Sequence, residues 1–429
     1  MSHNILIGSG IASLGFLENI DKSQNFQVYD RNEYVGGHAY SFKIDDMYFD
    51  EGAHISHSNN KNFLKYIDAY NENKFRFFKS KVCNFYENRK LGYPIQLNLK
   101  DLKFNEKIKF LKESFTKTKK LEECKNYHEW LLNSYGKFLT ENYYNLYTKK
   151  YWRTNPIDMS IDWTKGRLAE KKIINTIKSL FFNNKDNSLV YSNFRYPRKN
   201  GFFNIFKKKY DKFKINLDHN VEKIDLKKKK IYFTNNLVKE YNVIVSSIPL
   251  NEYKNIILNI PKNIYEFLNS LKYTKLVTYN YKLVKKINHD FHWCYFYDVD
   301  IPISRMSLLS NISPNYDKKH LVVQAEVFFR NDEKFNNEKY DIKVREEIIK
   351  FFNLDDEKDI LMEKKVFIEK AYPIPLLGHQ NKINYVKDWL AKNNIYQIGL
   401  YGNWEFMWTD QTFFNGKKVA EKINDYNKI

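Results

Sequence analysis

The sequence predicts an α/β fold in three interleaved parts: a Rossmann-like domain with a parallel sheet and helices, an inserted helical domain, and an antiparallel β-sheet substrate domain. Three observations predict it. The chain opens on a short apolar run that breaks into a Gly/Ser turn, "NILIGSG", and reaches a second run, "FQVYD", that ends on an acid. From about residue 100 to 185 the apolar residues recur at helical spacing. Past about residue 214, strand patterns return and continue to the last segment.

Each element follows from its local pattern. Ile5 to Ile7 is a buried strand, the turn leads into a helix over roughly Ala12 to Asn19, and "FQVYD" is the next strand, a βαβ start. "FNEKIKFLKESF" and "YHEWLLNSYGKFLTENYYNLY" are amphipathic helices. "KINLDHNVEKIDL", "KKIYFTN", "YNVIVSSIPL", "LVTYNYKLV", "HWCYFYDV" and "HLVVQAEVFF" are strands, followed by a short one, "IYQIG", and a helix from about Gln411. The expected domains are discontinuous: 1–78 with 200–252 and 390–429 for the Rossmann-like part, 100–190 for the helical part, and 79–99 with 255–389 for the antiparallel sheet.

Composition sets the class. With 43% hydrophobic and 17% aromatic residues the chain is globular, not disordered. The formal charge of +20 reads as a lysine-rich solvated surface or as a field that attracts an anionic small molecule. No nucleic-acid-binding motif accompanies it, so nucleic acid is not an expected partner. Cys83, Cys124 and Cys294 are far apart and odd in number, which implies no disulfide framework. No cysteine pair has metal-ligand spacing, and no metal is expected. No apolar run approaches the length of a membrane span, and the first strand begins almost at once with no signal-like region, so the expectation is a cytoplasmic protein.

The chemistry begins at Gly8-Ser9-Gly10-Ile11-Ala12-Ser13, a GxGxxG variant with Ser13 in the third place. The first glycine permits the tight turn, and the second lets backbone amides approach a pyrophosphate. Serine is small enough for close packing at the third. Asp30 follows at the distance where an acid binds a ribose hydroxyl pair, with Arg31 beside it. The acid is followed by Gly36-Gly37. This arrangement resembles the ADP-binding continuation of flavoproteins of the glutathione-reductase type, amine oxidases among them. The resemblance implies FAD rather than a nicotinamide cofactor alone.

Later motifs narrow the resemblance. "GAHISHSNN" (Gly52 to Asn60) is similar to the Gly-Pro/Ala-His-Ile-Phe-His-Thr-Asn motif of UDP-galactopyranose mutases. "LYTKKYWRTNP" resembles that family's Tyr-Thr-Glu-Lys-Gln-Trp-Gly segment. "TKGRL" resembles a mobile-loop Arg-Leu, with a shift of one residue. "YSNFRYPRKNGF", "ISRMS" and "AYPIP" resemble three further segments. "GLYGNWEFMWTDQ" runs in register with the terminal Gly-Arg-Leu-Ala-x-Tyr-x-Tyr-x-x-Met-Asp-Gln.

This resemblance implies catalytic roles for His54 and His57 beside the flavin, for Trp152 near the sugar, and for Arg167 on the diphosphate. It implies substrate contacts from Tyr147, which would stack on uracil, and from Tyr191, Arg305 and Tyr372. The implied cofactor contacts are Gly8, Gly10, Ser13, Asp30, Arg31, Gly36, Gly37, Gly52, Ala53, Val221, Gly399, Met407 and Trp408. The chain departs from the pattern at Leu400, where the family has a second diphosphate arginine, at Phe406 in place of a tyrosine, and at Trp408 in place of an acid or asparagine. Losing a bidentate anion clamp is not conservative. Arg198, Lys199 and Arg153 are the candidate replacements.

The implied activity is interconversion of the pyranose and furanose forms of a nucleotide-diphosphate sugar, for surface polysaccharide synthesis. It would run by covalent catalysis at N5 of reduced FAD, with NAD(P)H as reductant and no net redox. The implied partners are that nucleotide sugar and a second copy of the chain in a homodimer. Two alternatives stay open: an amine-oxidase or protoporphyrinogen-oxidase-like oxidoreductase acting on a small substrate, and a flavoprotein fold kept for binding without turnover.

Overall fold

The computed structural model describes residues 3–69, 74–114, 120, 123–165, 167–168, 173–182, 192–313, 316 and 319–426. The first of the two large sheets is built on parallel strands. Its strand order is Ile395–Gln397, Val238–Ser246, His3–Ile7, Phe26–Tyr29, Ile215–Asn216. The opening strand lies at the centre, with Ile5 and Leu6 fully buried, as a parallel strand covered on both faces must be. The outer part of Val238–Ser246 also pairs antiparallel with Lys230–Phe233, and that strand with Val221–Asp225, so a three-stranded flap extends the sheet edge.

The helix Ile11–Leu17 crosses the C-terminal helix Thr409–Tyr426 at van der Waals contact of their backbones. A Cβ on Gly15 would lie 2.0 Å from the Phe413 carbonyl oxygen, and one on Gly416 would lie 1.8 Å from that of Ala12. Close helix packing is therefore served by Gly15, two residues beyond Ser13, the position the fingerprint assigns to it. Ser13 is fully buried under the turn, about 3.9 Å from where a Gly8 Cβ would sit.

The second large sheet has the order Ile360–Pro373, Tyr273–Val284, His320–Arg330, Arg305–Leu308, Trp293–Phe296, Val82–Tyr86, Arg89–Gly92. It is antiparallel except at one seam. Trp293–Phe296 pairs parallel with Val82–Tyr86, setting Cys294 opposite Cys83. All three cysteines are buried, and none forms a disulfide. The expectation of an antiparallel sheet is corrected at that seam. The two strands come from segments about 200 residues apart, and so long a connection imposes no hairpin direction. Ile360–Pro373 has no strand-like reading in the sequence because lysine and glutamate interrupt its alternation. It is an edge strand, where such charges discourage edge-to-edge pairing.

The helical region contains Phe104–Ser114 and Tyr127–Leu139. The second helix is started by Asn126, whose side chain accepts from the Glu129 amide at 2.9 Å. The single long helix expected here is interrupted twice. Gly136 has φ 79° and ψ 168°, a conformation only glycine adopts cheaply, and a π-helical turn follows at Thr140–Tyr144. The last piece, Asn145–Tyr151, carries Tyr147 and Tyr151. Among the described residues no helix is long and apolar enough to cross a membrane.

Candidate functional site

A cavity of about 850 Å³ opens where the parallel sheet, the second sheet and the helical region meet. Its floor is the glycine turn. Gly8 has φ 96°, and a Cβ there would lie 1.9 Å from Ser247 Oγ, so the position admits only glycine. Gly10 is different: its φ is an ordinary −73°, and a Cβ there would meet no protein atom within 4 Å. The open space beside Gly10 is a cradle that a bound group could fill. The Gly36-Gly37 pair closes onto the same turn. The Gly36 amide donates to the Ser9 carbonyl at 2.9 Å, and a Cβ on Gly37 would lie 3.2 Å from the Gly10 Cα.

Asp30 ties the turn together. Its Oδ2 accepts from both the amide and the hydroxyl of Ser9, each at 2.6 Å, and Oδ1 accepts from the Asn32 amide at 2.8 Å. A carboxylate offers about four acceptor sites, so the fold itself uses most of this one. The acid read as a ribose ligand is thus first a brace for the turn, while still lining the cavity.

Across the cavity, His54 stacks on Phe202 at 5.0 Å. Burial pushes its pKa down, against the opposing pull of Asp50 and Glu51, so the ring stays neutral at pH 7. Buried Asp50 accepts from Ser41 Oγ and Tyr196 Oη at 2.6 Å each and from the Phe202 amide at 2.9 Å. Burial nevertheless raises its pKa. His57 is fixed by an Nδ1 contact to the Asn193 carbonyl at 3.0 Å and lies edge-on to Trp408 at 6.3 Å.

The remaining wall is aromatic. Tyr147 stacks on Tyr151 at 5.5 Å, and Tyr151 meets Tyr372 in a tilted contact at 5.5 Å. Trp152, only 2% exposed, lies against Trp163 and Phe406. Arg167 joins this wall to the terminal segment. Its Nη2 donates to the Phe406 carbonyl at 2.6 Å and to Gln411 Oε1 at 2.9 Å, and its guanidinium lies 4.6 Å over the Phe406 ring. Burial lowers its pKa, with Glu405 and Asp410 pulling the other way. Gly399 (φ 77°) sits beneath, its amide donating to Asn415 Oδ1 at 2.7 Å.

The fold brings nearly all the residues read from the sequence to this one cavity. His54, His57, Trp152, Arg167, Tyr147, Arg305 and Tyr372 line it, as do Gly8, Gly10, Asp30, Arg31, Gly36, Gly37, Ala53, Val221, Gly399, Met407 and Trp408. Ser13 and Gly52 do not, because both are packed behind the wall; Gly52 (φ 98°) abuts Glu326. Tyr191 lies outside the described residues. Leu400 lines the cavity, whereas Arg198, Lys199 and Arg153 do not. Arg153 is committed to Glu333, with Nε to Oε2 at 3.0 Å, and Arg198 Nε donates to the Phe75 carbonyl at 3.1 Å. These three are therefore not replacements for an arginine at position 400.

Sequence reasoning missed Glu326. Fully buried, it accepts from Arg305 Nε at 2.9 Å through Oε2, and from Arg305 Nη2 and the Ala53 amide, both at 2.8 Å, through Oε1. The available signal was a carboxylate standing inside the apolar run "VVQAEVFF". Tyr151, Trp163 and Tyr295 also line the cavity.

The open cradle at Gly10, beside a helix whose first turn carries no side-chain cap, suits a dinucleotide cofactor. Among solved structures the chain is similar to a reduced UDP-galactopyranose mutase, with a TM-score of 0.90 and 21% identity over 99% of this chain and 94% of that one. It is also similar to a protein assigned as a protoporphyrinogen oxidase from Exiguobacterium sp. 255-15, with a TM-score of 0.78 and 14% identity over 99% of both chains. A third likeness is to a CLA-producing fatty acid isomerase from P. acnes, with a TM-score of 0.66 and 13% identity over 98% of both. At such identities these are likenesses of fold. No curated protein matches by sequence. Residues 20–373 match the family described as flavin containing amine oxidoreductase. With that match spanning most of the sequence, the chain belongs to the flavin-containing amine oxidoreductase family and is a flavin-dependent enzyme of it.

Proposed function

We propose that the protein is an FAD-dependent mutase that interconverts the pyranose and furanose forms of a nucleotide-diphosphate sugar in the cytoplasm, supplying surface polysaccharide synthesis. One observation carries this reading: the glycine cradle and the tyrosine, tryptophan and arginine wall open into the same cavity. The fold likeness to a UDP-galactopyranose mutase supports it.

In this reading Gly8, Gly10, Asp30, Arg31, Gly36, Gly37, Val221 and Gly399 hold the dinucleotide. Ala53, His54, Met407 and Trp408 border its ring. Reduced flavin, when bound, supplies a nucleophile at the anomeric carbon, so the sugar isomerises with no net redox. The chain's own work is positioning. Tyr147 stacks on the base, Arg167 and the hydroxyls of Tyr151 and Tyr372 hold the diphosphate after it leaves, and Trp152 with Phe406 excludes water. Neutral His54 cannot repel a cationic sugar, and Arg305, neutralised by Glu326, orients rather than attracts. NAD(P)H is the proposed reductant and a homodimer the proposed assembly.

The test is to load purified protein with FAD, reduce it with dithionite, and incubate it with UDP-galactofuranose and related nucleotide sugars under chromatography. Conversion by reduced but not by oxidised protein supports the mutase; no conversion of any sugar sinks it. One observation favours a second reading. Leu400, Leu276, Ile368 and Phe406 make part of the wall apolar, and Glu326 already clamps the cavity's Arg305. That wall suits an oxidoreductase that takes hydride from a small apolar substrate. Bleaching of the oxidised flavin by such a substrate, without sugar conversion, selects it.

A further inference from the structure

The helix Phe104–Ser114 has one packed face and one exposed face. Its inner face packs through Phe110, which is 2% exposed, with Glu106 taken by Arg89 at 2.9 Å. Phe104, Ile108 and Leu111 fall four and three residues apart, so they form one stripe on the opposite face. All three are exposed: 79%, 39% and 37%. Lys107 and Lys112 flank the stripe on its two sides, and among the described residues neither forms an ion pair. The neighbouring turn adds Phe181 and Phe182, exposed at 72% and 70%, beside the exposed Lys178. It is tied to the short turn Leu99–Asp101, which precedes this helix, by the Lys100 amide donating to the Ser179 carbonyl at 2.7 Å. Leu180 packs into the same core as Leu99, Leu102 and Phe110.

Apolar residues facing water on a stripe edged by lysines are the pattern of a helix that lies in a lipid interface. We infer that this face docks the enzyme on an anionic membrane surface, the aromatic residues entering the headgroup boundary and the lysines meeting lipid phosphates. Charge decides the occupant. A second copy related by two-fold symmetry would set Lys107 and Lys112 against their own counterparts, which repel. An anionic lipid surface complements them, and the chain's net charge of +20 adds to the attraction. No span is needed, and none of the described helices could provide one. The inference is independent of which reaction the cavity catalyses.

The test is co-sedimentation of the full-length, FAD-loaded protein with phosphatidylcholine vesicles, with and without phosphatidylglycerol. Binding should require phosphatidylglycerol and weaken as salt rises. Phe104→Glu, and separately Phe181→Glu, should each weaken it at least about tenfold, since each removes an aromatic anchor. Both sites are solvent-facing, so circular dichroism and flavin absorbance should not change. Equal binding to both vesicle types, no binding, or binding indifferent to Phe104→Glu overturns the inference. So does a concentration-dependent dimer that Phe104→Glu dissolves, which would assign the face to a second copy.

Discussion

Arg305 and Glu326 meet in a two-point contact inside the second sheet, and the same carboxylate also holds the Ala53 amide at 2.8 Å. One buried acid therefore sets the position of a cavity arginine and of the loop that carries His54. Burial disfavours the arginine's charge, but Glu326 and the surrounding tyrosines more than restore it, and its pKa lies above the ordinary range.

Glu326→Leu should cost about 3–5 kcal/mol, because it strands a buried guanidinium. Urea unfolding measures this. Adding Arg305→Met should recover much of the loss, since removing both partners leaves no unpaired charge. A single variant within about 0.5 kcal/mol of wild type would show that the pair is not structural.

Gly8→Ala and Gly10→Ala should separate folding from cofactor binding. At Gly8 a methyl group collides with Ser247 and the φ is left-handed, so the variant should be destabilised by more than about 1 kcal/mol. At Gly10 nothing in the protein is touched, so thermal stability of the flavin-free form should be unchanged while flavin retention falls. Full flavin occupancy in Gly10→Ala would place the cofactor elsewhere.

Arg167→Lys keeps the charge but loses the fork that reaches Phe406 and Gln411 together. On the mutase reading, nucleotide-sugar affinity should fall about tenfold or more, read by calorimetry, with flavin absorbance intact. Loss of the flavin instead would mean that Arg167 only braces the cofactor wall.

Lys150 should make stability pH-dependent. Its Nζ donates to the carbonyls of Asp298 at 2.9 Å and Ile303 at 2.8 Å, and burial lowers its pKa to about 7. The unfolded chain holds that proton up to about pH 10.4. Between these values the unfolded state binds more protons, so this residue makes stability rise with pH through that window, by an amount on the order of a few kcal/mol. Denaturation at pH 7 and pH 9.5 should show a smaller rise in Lys150→Met than in wild type. Equal slopes would mean that Lys150 is charged in the fold at both pH values.

The legible part of the site lies close together in the chain. Gly8, Gly10, Asp30 and the Gly36-Gly37 pair sit within one βαβ start, where turn stereochemistry and strand periodicity act over a few residues. Their positions around the cavity followed from those local rules. The Lys/Glu-rich strand Ile360–Pro373 was illegible because an edge strand does not need an apolar face. The break at Gly136 was hidden because a lone glycine inside a helical pattern reads equally well as a tolerated one.

The sequence by itself determined that a strand, a glycine turn and a helix open an α/β chain. Only the tertiary structure decided that Asp30 is spent largely on Ser9, that Gly15 rather than Ser13 is the packing residue, and that Glu326 clamps Arg305. The physical reason is separation along the chain. Ala53, Arg305 and Glu326 share one carboxylate across more than 270 residues, and no local propensity encodes which distant groups burial will force to satisfy one another.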